Sequence, residues 1–417
     1  MSNPATKGWP TALRALSHRG YQIMYGGEAV SLIGTWMQQV ALSWLAYRLT
    51  GSSLLLGTVA FAGRIPILLL APFGGLLADR YSRRNILIIA QSIWVIEALI
   101  LATLTYTNSI QVWQIIALSV LSGVLFAFDM PARQAFVVDL VGKEDLPNAI
   151  ALNNSLVNGA TIAGPVFAGM LVAKVSEAAC FFVNGLSKIF VVVSLLLIDV
   201  APPVPGPERK SPIEDIVEGM RWARTTSAAW AVLLLLGIIG MLGMPVTILM
   251  PVVAKSVLQT GPAGLGILMG AYGIGALLGS LPLAFRKNAQ GLTHWMIAAS
   301  VILGTLFLLF SSSQIFFLSV ALLVPIGASL ILIINISITL IQILAPEHLR
   351  GRAMSLHLMI FMGLGALGSF LIGLFAQLVG ARWAIAGCGL GCLVGAGVFA
   401  YVMRDLHAKV NTHVVGA

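Results

Sequence analysis

Glu28, Arg64, Glu97, Asp129, Arg133 and Lys188 are charged side chains set within stretches of chain that are otherwise almost wholly apolar, and all six lie in the first half. A charge at the centre of a hydrocarbon layer costs about 2.5–3.5 kcal/mol on insertion scales, so each needs a partner or a task. A carboxylate withdrawn from water can trade a proton for a cargo. Glu28 is the expected proton-coupling group, and its alternative fate is permanent pairing with an arginine. Glu97 and Lys188 stand about 18–20 Å from the cytoplasmic ends of their apolar stretches at a helical rise of about 1.5 Å per residue. They are expected to form a buried ion pair that holds helices together, with Arg64 as the alternative partner of Glu97. Asp129 and Arg133 are four residues apart, a spacing that lets them pair along one helix face.

Other chemistries find no support. There is no Gly-x-x-x-x-Gly-Lys-Ser/Thr loop for a nucleotide phosphate; Gly142-Lys143 is followed by Glu144. The six histidines form no His-Glu-x-x-His pattern, and Cys180, Cys388 and Cys392 all fall in apolar segments without a nearby histidine. No catalytic residue, metal or cofactor is expected. A membrane enzyme lacks a constellation to carry it, and a receptor or scaffold would have no use for the polar faces that follow.

Glu28, Ser31, Thr35, Gln38 and Gln39 fall within an arc of about 100° on one helix face. Asn154, Asn158 and Thr161 share a second arc with Pro165, and Asn335, Thr339 and Gln342 a third. In lipid such stripes must face protein or a water-filled cavity. They are the expected cavity lining, with interhelical hydrogen bonding as the alternative.

The elements that carry these side chains follow from composition. The 417 residues are 58% apolar and 9% charged, with a mean hydropathy of +0.96; soluble domains carry about 25% charged residues. Twelve apolar spans are expected at roughly 21–47, 54–77, 85–106, 112–137, 149–173, 178–200, 229–253, 263–285, 291–311, 315–341, 353–378 and 382–403. Each suffices to cross a hydrocarbon core of about 30 Å as a helix. The fold class is therefore an all-α membrane protein. With the N-terminus inside, 18 of the 24 Lys and Arg fall on the cytoplasmic side or at helix ends there, so both termini are expected in the cytoplasm. The net charge of +9 follows this topology, and no nucleic-acid partner is implied.

One long polar break, 201–228, opens with Pro202, Pro203, Pro205 and Pro207 and continues as an amphipathic stretch with Ile213, Ile216, Val217 and Met220. It predicts a cytoplasmic linker with a surface helix. The expected organisation is a tail (1–20), a six-helix bundle (21–200), the linker (201–228), a second six-helix bundle (229–403) and a tail (404–417). The halves resemble each other: Glu144-Asp145-Leu146 precedes span 5 as Glu347-His348-Leu349 precedes span 11, and Gly57 opens span 2 as Gly266 opens span 8. Spans 2 and 8 run into basic loops, Arg80, Arg83 and Arg84 in one and Arg286 and Lys287 in the other. Paired half-repeats are what several secondary transporters use to expose a midplane site alternately to two sides.

The loop after span 2 reads Gly75-Leu-Leu-Ala-Asp79-Arg80-Tyr-Ser-Arg83-Arg84. Gly75 would allow close helix contact, and Asp79 places a carboxylate where a neighbouring helix N-terminus stabilises it. This stretch resembles the cytoplasmic signature of the major facilitator superfamily, with Ser82 where Gly is usual. The phrase Phe128-Asp129-Met130-Pro131-Ala132-Arg133-Gln134, the GTWMQ stretch (34–38) and Arg350-Gly351-Arg352 resemble the subgroup of enterobactin exporters and macrolide efflux pumps. The likeness covers nearly the whole chain. It implies a monomeric inner-membrane transporter of two pseudo-symmetric six-helix bundles, with a cytoplasmic latch of Asp79, Arg83 and Asp129 supported by Gly75, Arg80, Arg84 and Arg133. It also implies substrate held between the bundles, lined or gated by spans 1, 4, 5, 7, 8, 10 and 11.

Span 5 carries Gly159, Gly164, Pro165 and Gly169. Small residues let membrane helices approach closely, and proline removes a backbone bond and bends the helix. The pattern resembles the antiporter signature of the superfamily, with Ala168 where a second Gly is common. The expected function is export of a small molecule, a siderophore or drug-like amphiphile, by alternating access and proton antiport; proton-coupled uptake is the alternative. The expected partners are substrate, protons and lipid.

Overall fold

The computed structural model describes residues 11–199, 212–284 and 291–415. The proline-rich part of the linker, Arg286 and Lys287 lie outside the described residues.

Among the described residues the secondary structure is helical throughout. A 3-10 segment, Thr11–Ser17, leads into α1 (Arg19–Thr50), α2 (Ser53–Arg80), α3 (Arg83–Tyr106), α4 (Val112–Lys174), α5 (Glu177–Leu197) and α6 (Pro212–Thr225). Then follow α7 (Ser227–Leu242), α8 (Gly261–Ala284), α9 (Leu292–Ser312), α10 (Phe316–Leu344), α11 (Arg350–Val379) and α12 (Ala381–Val415). Ten helical stretches are long and apolar enough to cross a membrane. One of these, α4, is 63 residues long and leaves helical geometry at Gly142 (φ 72°, ψ 175°), which divides it into two limbs. α1 is 32 residues long and too polar to be counted by apolarity, because it bears the Glu28–Gln39 face. With that helix and the divided α4, the twelve expected crossings are present, and the chain is a multi-pass membrane protein.

Local chemistry sets the helix ends. Ser82 caps α3 by accepting the Asn85 amide at 3.4 Å. Ser176 does the same for α5 with the Ala179 amide, also at 3.4 Å. Glu177, in the first turn of α5, accepts from Arg48 Nε at 2.7 Å; a carboxylate suits that positive helix end, and the pair ties the end of α1 to the start of α5. Pro245 and Pro251 account for the irregular continuation of α7, which runs through a 3-10 turn and a π turn as far as Val257.

The chain divides into two compact units. The first holds residues 1–49, 62–208 and 261–270; the second holds 50–61, 209–260 and 271–417. Each unit thus contains a short segment from the opposite half of the sequence, and glycines explain how. In the first unit Gly266 of α8 lies so close to α4 that an added Cβ would come within 2.9 Å of the Gly169 Cα. In the second unit a Cβ on Gly373 of α11 would come within 2.9 Å of the Gly57 Cα on α2. Gly57 and Gly266 are the two positions matched in the repeat.

In the first unit the 3-10 segment grips α4 beside its break. Arg14 Nε lies 2.8 Å from Asp145 Oδ1, and His18 Nε2 lies 2.9 Å from Asp145 Oδ2. The Ala15 amide donates to Asn148 Oδ1 at 2.8 Å, and the Tyr21 hydroxyl to the Ala149 carbonyl at 2.9 Å. In the second unit α6 is held to the start of α11 by Glu218 and Arg352 at 2.6 Å.

Candidate functional site

Three of the six charges set within apolar stretches meet at one point in the first unit. Arg133 donates through Nε and Nη2 to the two oxygens of Asp129 at 2.8 and 2.9 Å, one turn away on α4. Its Nη1 pairs with Glu28 of α1. Gln91 Nε2 of α3 adds a bond to Asp129 Oδ1 at 3.0 Å. Glu28 and Asp129 are 7% and 4% exposed. One guanidinium therefore neutralises carboxylates from two helices, which its planar fork of donors permits and a point-charge ammonium would not.

The direct Glu97–Lys188 ion pair expected from depth is not formed. Glu97 Oε1 accepts instead from Ser122 Oγ of α4 at 3.0 Å and from Gln38 Nε2 of α1 at 3.5 Å. Gln38 in turn accepts from Asn184 Nδ2 of α5 at 2.8 Å. Lys188 donates to Thr35 Oγ1 at 3.3 Å, and its ammonium lies 4.7 Å from the centre of the Trp94 ring. The Trp94 indole donates to the same Ser122 hydroxyl at 3.2 Å. Equal depth matches two side chains in height only. Trp94, one turn before Glu97 on α3, offers its ring face to the ammonium, an arrangement attractive in itself. Arg64 is half-buried on α2.

The expected latch is arranged differently. Asp129 is committed to Arg133 and Glu28, and Arg83 pairs with Asp139 at 2.5 Å while donating to the Ala78 carbonyl at 3.2 Å. Asp139 stands ten residues beyond Asp129, about 15 Å along a helix, so one arginine cannot serve both. Arg84 donates to the Leu195 and Leu196 carbonyls at the end of α5 at 2.7 and 2.8 Å. Asp79 is half-buried and Arg80 exposed. The close helix contact assigned to Gly75 belongs to Gly74. A Cβ on Gly75 would meet nothing within 4 Å, whereas one on Gly74 would run into the Ala127 carbonyl and lie 3.1 Å from Pro131 Cγ.

On the second limb of α4, Gly164 packs against Ile33 and Trp36 of α1, and Gly169 against α8. Gly159 has open space where a Cβ would stand and does not pack. Pro165 lies within this limb, and the backbone leaves helical geometry at Gly142. Among the stripe residues, Ser31 is buried; Gln38, Asn158, Asn335 and Thr339 are half-buried; Thr35, Gln39, Asn154 and Gln342 are exposed. Thr35 and Gln38 join the charge network through Lys188, Glu97 and Asn184.

Gln91, Trp94, Ser122, Asn184 and Asp139 were not singled out from the sequence. Gln91, Trp94 and Glu97 recur at three-residue spacing on α3, a stripe of the kind recognised on α1. The second unit holds a buried ionisable group of its own: His357 of α11 is 4% exposed, with Nε2 2.8 Å from Ser337 Oγ of α10.

Residues 10–412 match the family model described as transmembrane secretion effector. The chain is 26% identical over 398 residues to the staphyloferrin A transporter of Staphylococcus aureus, covering 93% of this chain and 97% of that protein. It is 25% identical to macrolide efflux protein A of Streptococcus pyogenes, over 86% of this chain and 90% of the relative. The enterobactin exporter EntS of Shigella boydii is 24% identical over 94% and 93% of the two chains. Among solved structures, the nucleoside transporter NupG matches with a TM-score of 0.75 at 12% identity, covering 92% of this chain and 99% of that one. A bacterial homologue of the human lysosomal transporter Spinster matches with a TM-score of 0.73 at 14% identity, over 92% and 97%. A buried charge network on a twelve-crossing helical scaffold thus coincides with full-length similarity to transporters: the chain is a transporter rather than an enzyme, and it belongs to the transmembrane secretion effector family of the major facilitator superfamily.

Proposed function

We propose that this protein is a secondary active exporter of a small amphiphile, a siderophore or drug-like compound, working by alternating access and proton antiport. The observation that carries the reading is the Glu28–Arg133–Asp129 cluster. A single guanidinium shared by two buried carboxylates can lose one of them without being stranded. When Glu28 takes a proton, Arg133 keeps Asp129, and α1 is freed from α4 at little electrostatic cost. Glu28 lies on the polar face of α1, so the group that binds the proton shares its helix face with Ser31, Thr35 and Gln38. Siderophore and macrolide cargoes are supported by the names of the relatives, and the polar stripes suit molecules with both apolar and hydrogen-bonding parts.

We read the protein as a monomer of the bacterial inner membrane; the further reading that both termini lie in the cytoplasm is supported by the distribution of Lys and Arg. Everted vesicles test the transport direction and the coupling. An exporter accumulates cargo when their interior is acidified, and Glu28→Gln should abolish that accumulation while leaving protein level and fold intact. Unchanged proton-driven accumulation in Glu28→Gln would remove Glu28 from the mechanism.

A further inference from the structure

We propose that Glu97 is a second proton-binding carboxylate, and that Lys188 is the movable positive charge that answers its ionisation. The inference rests on the antiport reading for its role in the cycle, and on geometry for the site itself. Glu97 is 2% exposed, and its Oε2 is buried with no hydrogen-bond partner among the described residues. Glu28 and Asp129 each have Arg133, whereas Glu97 has only the neutral donors Ser122 and Gln38, both on Oε1. An ionised carboxylate in that position is a buried charge without a salt bridge, and the neutral acid is the form such a pocket accommodates. Oε2 is the atom left for the proton.

Lys188 is the natural countercharge. It is 7% exposed, yet it rests against a hydroxyl and an indole face and not against a carboxylate. Thr35 donates its own proton to the Ser31 carbonyl at 3.0 Å, so it serves Lys188 as an acceptor and holds one of the three ammonium donors. The four-carbon stem of Lys188 is flexible. The other charged side chains within the apolar stretches of the first unit are Glu28 on α1, Arg64 on α2, Asp129 and Arg133 on α4 and Lys188 on α5.

A cycle follows from these positions. With Glu97 protonated, the ammonium is drawn toward Asp129, which loosens the hold of Asp129 on Arg133 and leaves the guanidinium more fully to Glu28. When Glu97 gives its proton back to water, the ammonium returns toward the new carboxylate past Trp94 and Ser122. One proton enters on Oε2 and leaves from it, and no other bond is made or broken.

Infrared difference spectra of the purified protein in liposomes, recorded across a pH titration, test the site without a cargo. Protonated carboxyls give a C=O stretching band that disappears on ionisation. Glu97→Gln should remove one component of the band and leave the Glu28 component in place. Ser122→Ala, which deletes one hydrogen bond to Oε1, should displace the Glu97 component in frequency, and Lys188→Met should shift the pH at which it vanishes. A spectrum unaltered in Glu97→Gln overturns the proposal; should that variant fail to fold, an unmoved band in Ser122→Ala does so. A titration unaffected by Lys188→Met overturns the part assigned to the lysine. If the band behaves as expected but transport proves independent of protons, the antiport reading fails and Glu97 stands as a proton-binding site.

Discussion

At the residue scale the decisive feature is that Arg133 alone neutralises Glu28 and Asp129. Removing one partner of a buried ion network leaves uncompensated charge and costs about 3–5 kcal/mol, and here two carboxylates would be stranded at once. Arg133→Met should therefore lower the thermal unfolding midpoint in detergent sharply, whereas Glu28→Gln, which strands no charge, should barely move it. Equal midpoints for the two variants would contradict the shared-guanidinium arrangement. Arg133→Lys should fall between them, because an ammonium cannot present parallel donors to Asp129 and a further one to Glu28. The Asp129–Arg133 half of this cluster was legible in the sequence, since partners four apart on a helix declare themselves by spacing. Glu28 is more than a hundred residues away, and nothing in its neighbourhood names the arginine. Glu97 and Lys188 show the opposite limit: position along each helix suggested a pair, but rotation about each helix axis decided their neighbours, and Trp94 took the place expected of a charge.

At the element scale, the two limbs of α4 are joined without a gap, and Gly142 makes the join. Its φ of 72° with ψ of 175° lies in a region that is essentially restricted to glycine, and other residues held in such regions cost about 1–3 kcal/mol. Gly142→Ala should lower the unfolding midpoint measurably although a Cβ there would touch nothing; an unchanged midpoint would show that the strain argument is wrong. Gly74→Ala should also destabilise, for the different reason that its Cβ meets the backbone of α4, while Gly75→Ala should be neutral. Apolar runs revealed the number and order of the crossings because lipid imposes both length and hydrophobicity on each helix. Those runs do not resolve which of two adjacent glycines faces a neighbour. Gly74 and Gly75 differ by about 100° around α2, and only the packed helix distinguishes them.

At the scale of the whole molecule, the pattern of charge must agree with the direction in which the helices thread the bilayer. Lys143 and Glu144 sit at the break of α4 and are exposed, while the loop from Tyr106 to Gln111 joins α3 to α4 at the other end of the same limb. The limb from Val112 to Gly142 is about 45 Å long at helical rise, enough to carry these two points to opposite faces of the membrane. Positive residues gather at the Lys143 end, with Arg14, Arg19, Arg80, Arg83 and Arg84 in the segments that meet there, and none lies between Arg84 and Arg133 to mark the other end. The positive-inside rule therefore predicts that Lys143 faces the cytoplasm. The native cysteines are all buried, so an introduced thiol can be read against a quiet background. In intact cells a membrane-impermeant maleimide should label Ser109→Cys and spare Lys143→Cys; in everted vesicles the reactivities should exchange. Labelling of Lys143→Cys from outside would invert the topology, and with it the direction of transport inferred from the acidified-vesicle experiment. Labelling of both from one side would mean that this limb does not cross the bilayer, and the reading of Asp129, buried halfway along it, as an intramembrane charge would fall with it.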